Sequence, residues 1–193
     1  MAFWTTTPTK DPKRNFRFKV LFQGLQTGPD GSSQPSVWWA KKIAKPNFTV
    51  AESKHVYLGH TFYYPGKVEW QAISMTLVDP VMPGSLHRLN SIVAKSGYIV
   101  PGDPNVTATM NKRGAVSSIG DITIEQIDGN GGRVEEWKLK NPFIKSVKFS
   151  DLDYENDELS TIDLELRYDW AVCTTQDGNQ LYTSYQAIAS QQS

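Results

Sequence analysis

The chain has a single cysteine, Cys173, in 193 residues. One thiol excludes an internal disulfide framework and points to a reducing compartment. There the sequons at Asn47 and Asn105 carry no meaning. Net charge is also missing, because 20 Lys and Arg balance 20 Asp and Glu. The chain as a whole is therefore not a polyanion binder, although local basic patches remain open. No apolar run approaches the roughly 20 residues that span a bilayer. "MAFWTTTPTKDPKRNF" lacks the basic start, apolar middle and small-residue cleavage site of a secretory leader. The length suits one domain with a sizeable core.

Catalytic signatures are scarce as well. There is no GxSxG elbow and no HExxH pair, and Cys173 follows a long strand instead of opening a helix. His55, His60 and His87 have no cysteine partner at a metal-binding spacing. Counting from Asp151, Asp153 and Glu155 match the first oxygen positions of an EF-hand loop. Asn156 then stands where glycine is required and Ile162 where glutamate is required. "DGNGG" lies between two strands, without the strand-to-helix passage of a phosphate-binding loop. Acidic residues are plentiful, yet none stands out as a glycosidase pair. The expectation is no enzyme, no metal and no cofactor.

What the sequence does contain is a period of two. Phe16, Phe18, Val20 and Phe22 alternate with polar residues as a first strand. "GLQTGPDGSSQPS" is loop chemistry, and "VWWAKKIAKPNFTVAE" is extended but interrupted by Pro46. In "KVEWQAISMTLVD" the apolar phase slips by one after Ala72, the mark of a bulge or a change of sheet. "GSLHRLNSIVAKSGY" is the one convincing helix, with Leu86, Leu89, Ile92 and Val93 on one stripe. Ser85 suits its N-cap and Gly97 its end. The stretch from "PGDPN" to "NKRGAVSS" reads as a loop or weak strand. "DITIEQI" and "RVEEWKLK" flank "DGNGG" as a hairpin, and "PFIKSVKF" alternates again. The expected fold is mainly β: two packed antiparallel sheets, sandwich or barrel-like, with one flanking α-helix. Residues 1–12 read as an N-terminal arm, 13–173 as the β domain with its helix at about 85–96, and 174–193 as a polar C-terminal extension.

Two stretches ask for a purpose. "HVYLGHTFYYPG" places Tyr57, Leu58, Phe62, Tyr63 and Tyr64 in or beside a loop between strands. An apolar loop of that length packs on something: its own core, a neighbouring subunit or, less well, a sugar. "IDLELRYDWAV" puts Ile162, Leu164, Leu166, Tyr168, Trp170 and Val172 on one face. Asp163, Glu165, Arg167 and Asp169 lie on the other. Read as one strand, its eleven residues span about 36 Å, well beyond the usual strand of about 5–6 residues. The expected core takes Phe16, Phe18, Val20, Leu164, Leu166, Tyr168 and Trp170.

The order of these elements, in "FRFKVLF", "VWWAKKIAKPNFTVAE", "YYPGKVEWQAISMTLVDP", "VEEWKLKNPFIKSVKFSDLDY" and "DLELRYDWA", resembles the tail tube proteins of contractile-tailed, myovirus-type bacteriophages. The resemblance covers roughly Lys13 to Cys173 and extends in fold to the tubes of type VI secretion systems and tail-like bacteriocins. It implies a structural virion protein in which six copies form a ring. Rings stack into a hollow tube inside a contractile sheath, and one sheet from each subunit closes into a β-barrel around the lumen. The implied partners are other copies of the chain, the sheath protein, a baseplate tube initiator and a tail terminator. DNA passes through the lumen during ejection without specific binding, no membrane is involved, and assembly takes place in the host cytoplasm.

On that plan the apolar loop is a ring-stacking element, and Asp163, Glu165, Arg167 and Asp169 line the channel as a net-negative wall that repels phosphates. The alternative for this charged face is the tube exterior, against the sheath. Two other functions stay open: a tube initiator or baseplate-proximal homologue, and, from another class, a monomeric carbohydrate-binding β-sandwich.

Overall fold

The computed structural model describes residues 12–22, 40–81, 85–99, 109–155, 157–176 and 180–181. Most of the expected N-terminal arm, the loop after the first strand and most of the C-terminal extension lie outside them. Among the described residues, eleven strands and two helices follow in order. They are β1 (Phe18–Phe22), β2 (Ala40–Ile43), β3 (Phe48–Tyr57), β4 (His60–Trp70), β5 (Ile73–Val78), α1 (Ser85–Lys95) and α2 (Lys112–Ile119). The rest are β6 (Ile122–Ile127), β7 (Arg133–Lys140), β8 (Phe143–Phe149), β9 (Thr161–Arg167), β10 (Trp170–Thr175) and β11 (Gln180–Leu181).

The strands make a five-stranded sheet in the order β1-β6-β7-β10-β11, a four-stranded sheet β2-β5-β9-β8 and a separate ribbon β3-β4. Every pairing is antiparallel. Both larger sheets are open, and no closed barrel forms among the described residues.

Alternation decides which face is buried. Val20, Phe22, Ile122, Ile124, Leu139 and Ala171 of the five-stranded sheet join Ile73, Met75, Leu77, Ile162, Leu164 and Leu166 of the four-stranded sheet in one core. The helices add Leu89, Ile92 and Ile119 to it. Each such aliphatic side chain contributes roughly 1.5–3 kcal/mol of transfer free energy.

The phase slip after Ala72 is a change of sheet, since β4 belongs to the ribbon and β5 to the four-stranded sheet. Phe16 departs from the expected core. It sits in a turn before β1 and is 75% exposed, because the first strand begins only at Phe18.

α1 ends as the sequence indicates. Gly97 adopts φ +104°, its N–H donates to the Ala94 carbonyl, and the Tyr98 N–H donates to Val93. This crossed pair is the Schellman pattern. A Cβ on Gly97 would come within 2.8 Å of the Thr109 carbonyl oxygen. Gly97→Ala is therefore expected to lower stability by about 2 kcal/mol or more, from left-handed strain plus that clash. Urea unfolding measures it.

α2 is a second helix where a loop or weak strand was expected. Asn111 caps it, its Oδ1 accepting the Gly114 N–H at 2.7 Å. The polar extension expected from residue 174 is also partly sheet, because β10 runs to Thr175 and β11 pairs with it.

Candidate functional site

The apolar stretch "HVYLGHTFYYPG" is a two-stranded ribbon. β3 and β4 pair from Phe48↔Trp70 to Tyr57↔His60, with one irregularity between Val50 and Glu52. A two-residue turn closes it, with Leu58 at φ 47° and Gly59 at φ 80°. Both central residues at positive φ give the tight turn whose twist matches paired strands.

Cross-strand partners share a face. Tyr57, Phe62 and Tyr64 therefore stand on one side of the ribbon with His55 and His60, while Val56 and Tyr63 stand on the other with Lys54. The Lys54 ammonium lies 5.6 Å from the centre of the Tyr63 ring. Every residue from Phe48 to Glu69 is exposed, on both faces.

The ribbon is anchored only at its root. There Phe48 packs on Trp70 at 5.1 Å between ring centres, and Trp70 packs on the buried Tyr168 at 6.0 Å. Burial pushes the Tyr168 phenol above its ordinary pKa. A lone two-stranded hairpin is marginal in water, so a ribbon of this length needs a covering surface.

The charged row of "IDLELRYDWAV" is not one row. The stretch is two strands in two sheets: β9 ends at Arg167 in the four-stranded sheet, and β10 begins at Trp170 in the five-stranded one. The buried phase flips at the junction, from Ile162, Leu164, Leu166 and Tyr168 to Ala171 and Cys173. Trp170, expected in the core, is 45% exposed for that reason.

Asp169 sits at this corner. Its carboxylate accepts from Lys112 at 2.7 Å and from Asn141 at 2.8 Å, and its N–H donates to the Lys140 carbonyl. Burial pulls its carboxyl up, and the two side-chain donors outweigh burial and hold it below the usual range. Its work is to hold the turn between sheets.

Asp163, Glu165 and Arg167 do share the outer face of the four-stranded sheet. Asp163 accepts from the Thr76 hydroxyl at 2.6 Å, and Glu165 accepts from Lys145 at 2.7 Å. The Lys145 bond holds the Glu165 carboxyl below its ordinary pKa. Lys148 stands opposite Asp163 on β8, and Lys42 stands on the same face through Thr76. This face sets Lys42, Lys145, Lys148 and Arg167 against Asp163 and Glu165. The net-negative wall expected from β9 alone does not form, because β8 and β2 bring lysines that a single strand cannot show.

Glu135 was not among the residues singled out from the sequence. Two successive glutamates in "VEEW" oblige one to point inward, and register puts Glu135 beside Gln126 on the core side of the five-stranded sheet. Glu135 is 7% exposed. It accepts from Lys13, from Lys45 at 2.9 Å and from the Trp137 indole, while Lys45 also donates to Gln126 at 2.7 Å. Burial raises this carboxyl, and the hydrogen bonds from Lys13, Lys45 and Trp137 overcome it, leaving the pKa at about 2. Lys13 precedes β1 and Lys45 precedes the ribbon. One carboxylate thus fixes both segments to the sheet.

Cys173 is buried, and burial raises its thiol. Among the described residues no three His, Cys, Asp or Glu side chains converge as a metal site. His55 and His60 lie on the ribbon, and His87 is exposed on α1.

No family model matches the chain, and no curated protein is similar to it in sequence. Solved structures do match. A chain of the sheath–tube complex of PVC, an extracellular contractile injection system in the extended state, superposes with a TM-score of 0.59 at 15% identity, over 91% of this chain and 99% of that one. This is the tube fold. A chain of the six-fold-symmetrised baseplate of the anti-feeding prophage gives 0.59 at 16% identity, over 86% of this chain and 98% of that one. An Hcp protein gives 0.50 at 12% identity, over 85% and 96%. The tube fold thus accounts for the two packed sheets, and the near-complete coverage of these chains means that the likeness is to whole tube-fold chains.

Proposed function

We propose that this chain is the protomer of a contractile-tail tube, with residues 13–173 as the tube domain. Six copies form a ring, and rings stack inside a sheath between a baseplate initiator and a terminator. One observation carries this reading: a tube-fold sandwich that bears a ribbon left uncovered on both faces in the single chain. The ring also gives the four-stranded sheet a use. Its edge strands β2 and β8 have no outer neighbour among the described residues. Pairing β2 of one copy with β8 of the next closes both edges and builds a continuous barrel. The outer face with Asp163, Glu165 and Arg167 then lines the channel. Tyr57, Leu58, Phe62, Tyr63 and Tyr64 become the stacking contact.

The cargo assigned is DNA leaving a virion, on the resemblance to phage tail tubes. The mixed charge of the wall does not supply the phosphate repulsion expected of it. The role is structural, with chemistry confined to self-association.

Sedimentation of the purified chain over a range of concentrations, with negative-stain microscopy of the same samples, tests the reading. Rings or hollow tubes that grow with concentration are expected. A monomer at every concentration would contradict it and favour the carbohydrate-binding module.

A further inference from the structure

The register of the four-stranded sheet sets two exposed apolar surfaces at opposite ends. Ile73, separated from the ribbon by two residues, pairs with Leu166 near the end of β9, and Val78 pairs with Thr161 at its start. The ribbon therefore leaves from the Leu166 end. The loop joining β8 to β9, described at residues 150–155 and 157–160, caps the Thr161 end. In that loop Leu152 is 91% exposed, Leu159 70%, and Tyr154 fully. Around them lies an open concavity of about 370 Å³, lined by Ser150, Leu152, Asp153, Tyr154, Leu159 and Thr161.

The two ends differ in charge. The distal ribbon, from Ser53 to Pro65, carries one ammonium, Lys54, with Glu52 at its foot 3.9 Å away, and no carboxylate of its own. The loop carries Asp151, Asp153, Glu155, Asp157 and Glu158 and no cation.

We infer that this loop receives the ribbon of a second copy stacked on it. The inference rests on the tube-protomer reading and names the surface its stacking contact meets. Aromatic and aliphatic side chains from Tyr57, Leu58, Phe62 and Tyr64 cover Leu152, Tyr154 and Leu159. Lys54, on the ribbon's opposite face over Tyr63, meets the carboxylates at the rim where the ribbon tip enters the loop. Charge also favours one polarity, because two acidic loops repel one another whereas the ribbon tip brings Lys54 and no carboxylate to the loop. A contact between unlike ends of identical subunits repeats without limit, as a tube requires. Its exposed ion pairs make stacking weaken as salt rises.

Leu58→Cys and Leu152→Cys place thiols at two exposed positions, while the native Cys173 stays buried. Assembled protein is treated with a short bismaleimide, resolved on a denaturing gel and imaged in parallel. A ladder from the double variant, with heterodimers alone from an equal mixture of the single variants, is the expected result. Tubes without those cross-links, or with Leu58→Cys joined to itself, overturn the receptor and leave the tube standing. Absence of rings and tubes overturns both. Asp151→Lys with Asp153→Lys supplies a second readout: normal melting, with mean tube length reduced by about tenfold or more. Unchanged tube length would overturn the assignment.

Discussion

Replacing Tyr63 and Tyr64 together by serine should leave a chain that folds and melts like its parent but no longer stacks. Tyr63 is 59% exposed and Tyr64 is 55% exposed, on opposite faces of the ribbon. Neither belongs to the core, so the single chain has little to lose. In a stack both rings would be covered. Full burial of an aromatic side chain removes roughly 150–250 Å² from water; with a little over half of each ring still exposed, about 25 cal/mol per Å² gives roughly 2–4 kcal/mol of gross transfer free energy per ring. Even a half of that over the two rings, lost at every protomer, lowers the stacking constant by about two powers of ten. Microscopy should show rings without tubes, and calorimetry should show a melting temperature within a degree or two of the parent. Tubes of normal length would remove the ribbon from the stacking contact.

The second large effect is expected at Glu135 and lies in the fold itself. Glu135→Gln keeps the shape and removes the charge that holds Lys13, Lys45 and Trp137. Breaking one side of a buried pair costs about 3–5 kcal/mol, so the midpoint should fall by roughly 10 °C for a chain of this size. The acid limb provides a second signature. The folded carboxyl has a pKa of about 2 against an ordinary 4.5. A depressed acid stabilises the fold fully above its unfolded pKa, and that stabilisation drains away as pH falls through the folded one. Parent protein should therefore lose about 3 kcal/mol between pH 4.5 and 2, and the glutamine variant should lack that step. Urea titrations at pH 7 and pH 3 read both.

Strand positions were legible because alternation is local. The turn at Asp128–Gly132 and the end of α1 at Gly97 were legible because few residues tolerate those angles. α2 was not. "KRGAVSSI" contains a glycine, a β-branched valine and two serines, all weak helix formers. Its one signal was Asn111, the capping residue just before it. The junction at Asp169 escaped because Tyr168 and Trp170 continue the period of two. What turns the chain there is Lys112 and Asn141, both distant in sequence. Distance in sequence also hid the lysines that neutralise β9, and the partners that make Glu135 an anchor. The exposed ribbon was legible as an apolar stretch, while its form as paired strands depends on Leu58 adopting a positive φ that its residue type does not announce.

The proposed tube places the four-stranded sheet of each copy in the wall of a channel. Helical reconstruction of assembled tubes by electron cryo-microscopy tests it most directly. The account predicts six subunits per ring, β2 of one copy paired with β8 of its neighbour, and Asp163, Glu165 and Arg167 facing the lumen. A tube with that face turned to the exterior, or with β2 and β8 unpaired, would contradict it.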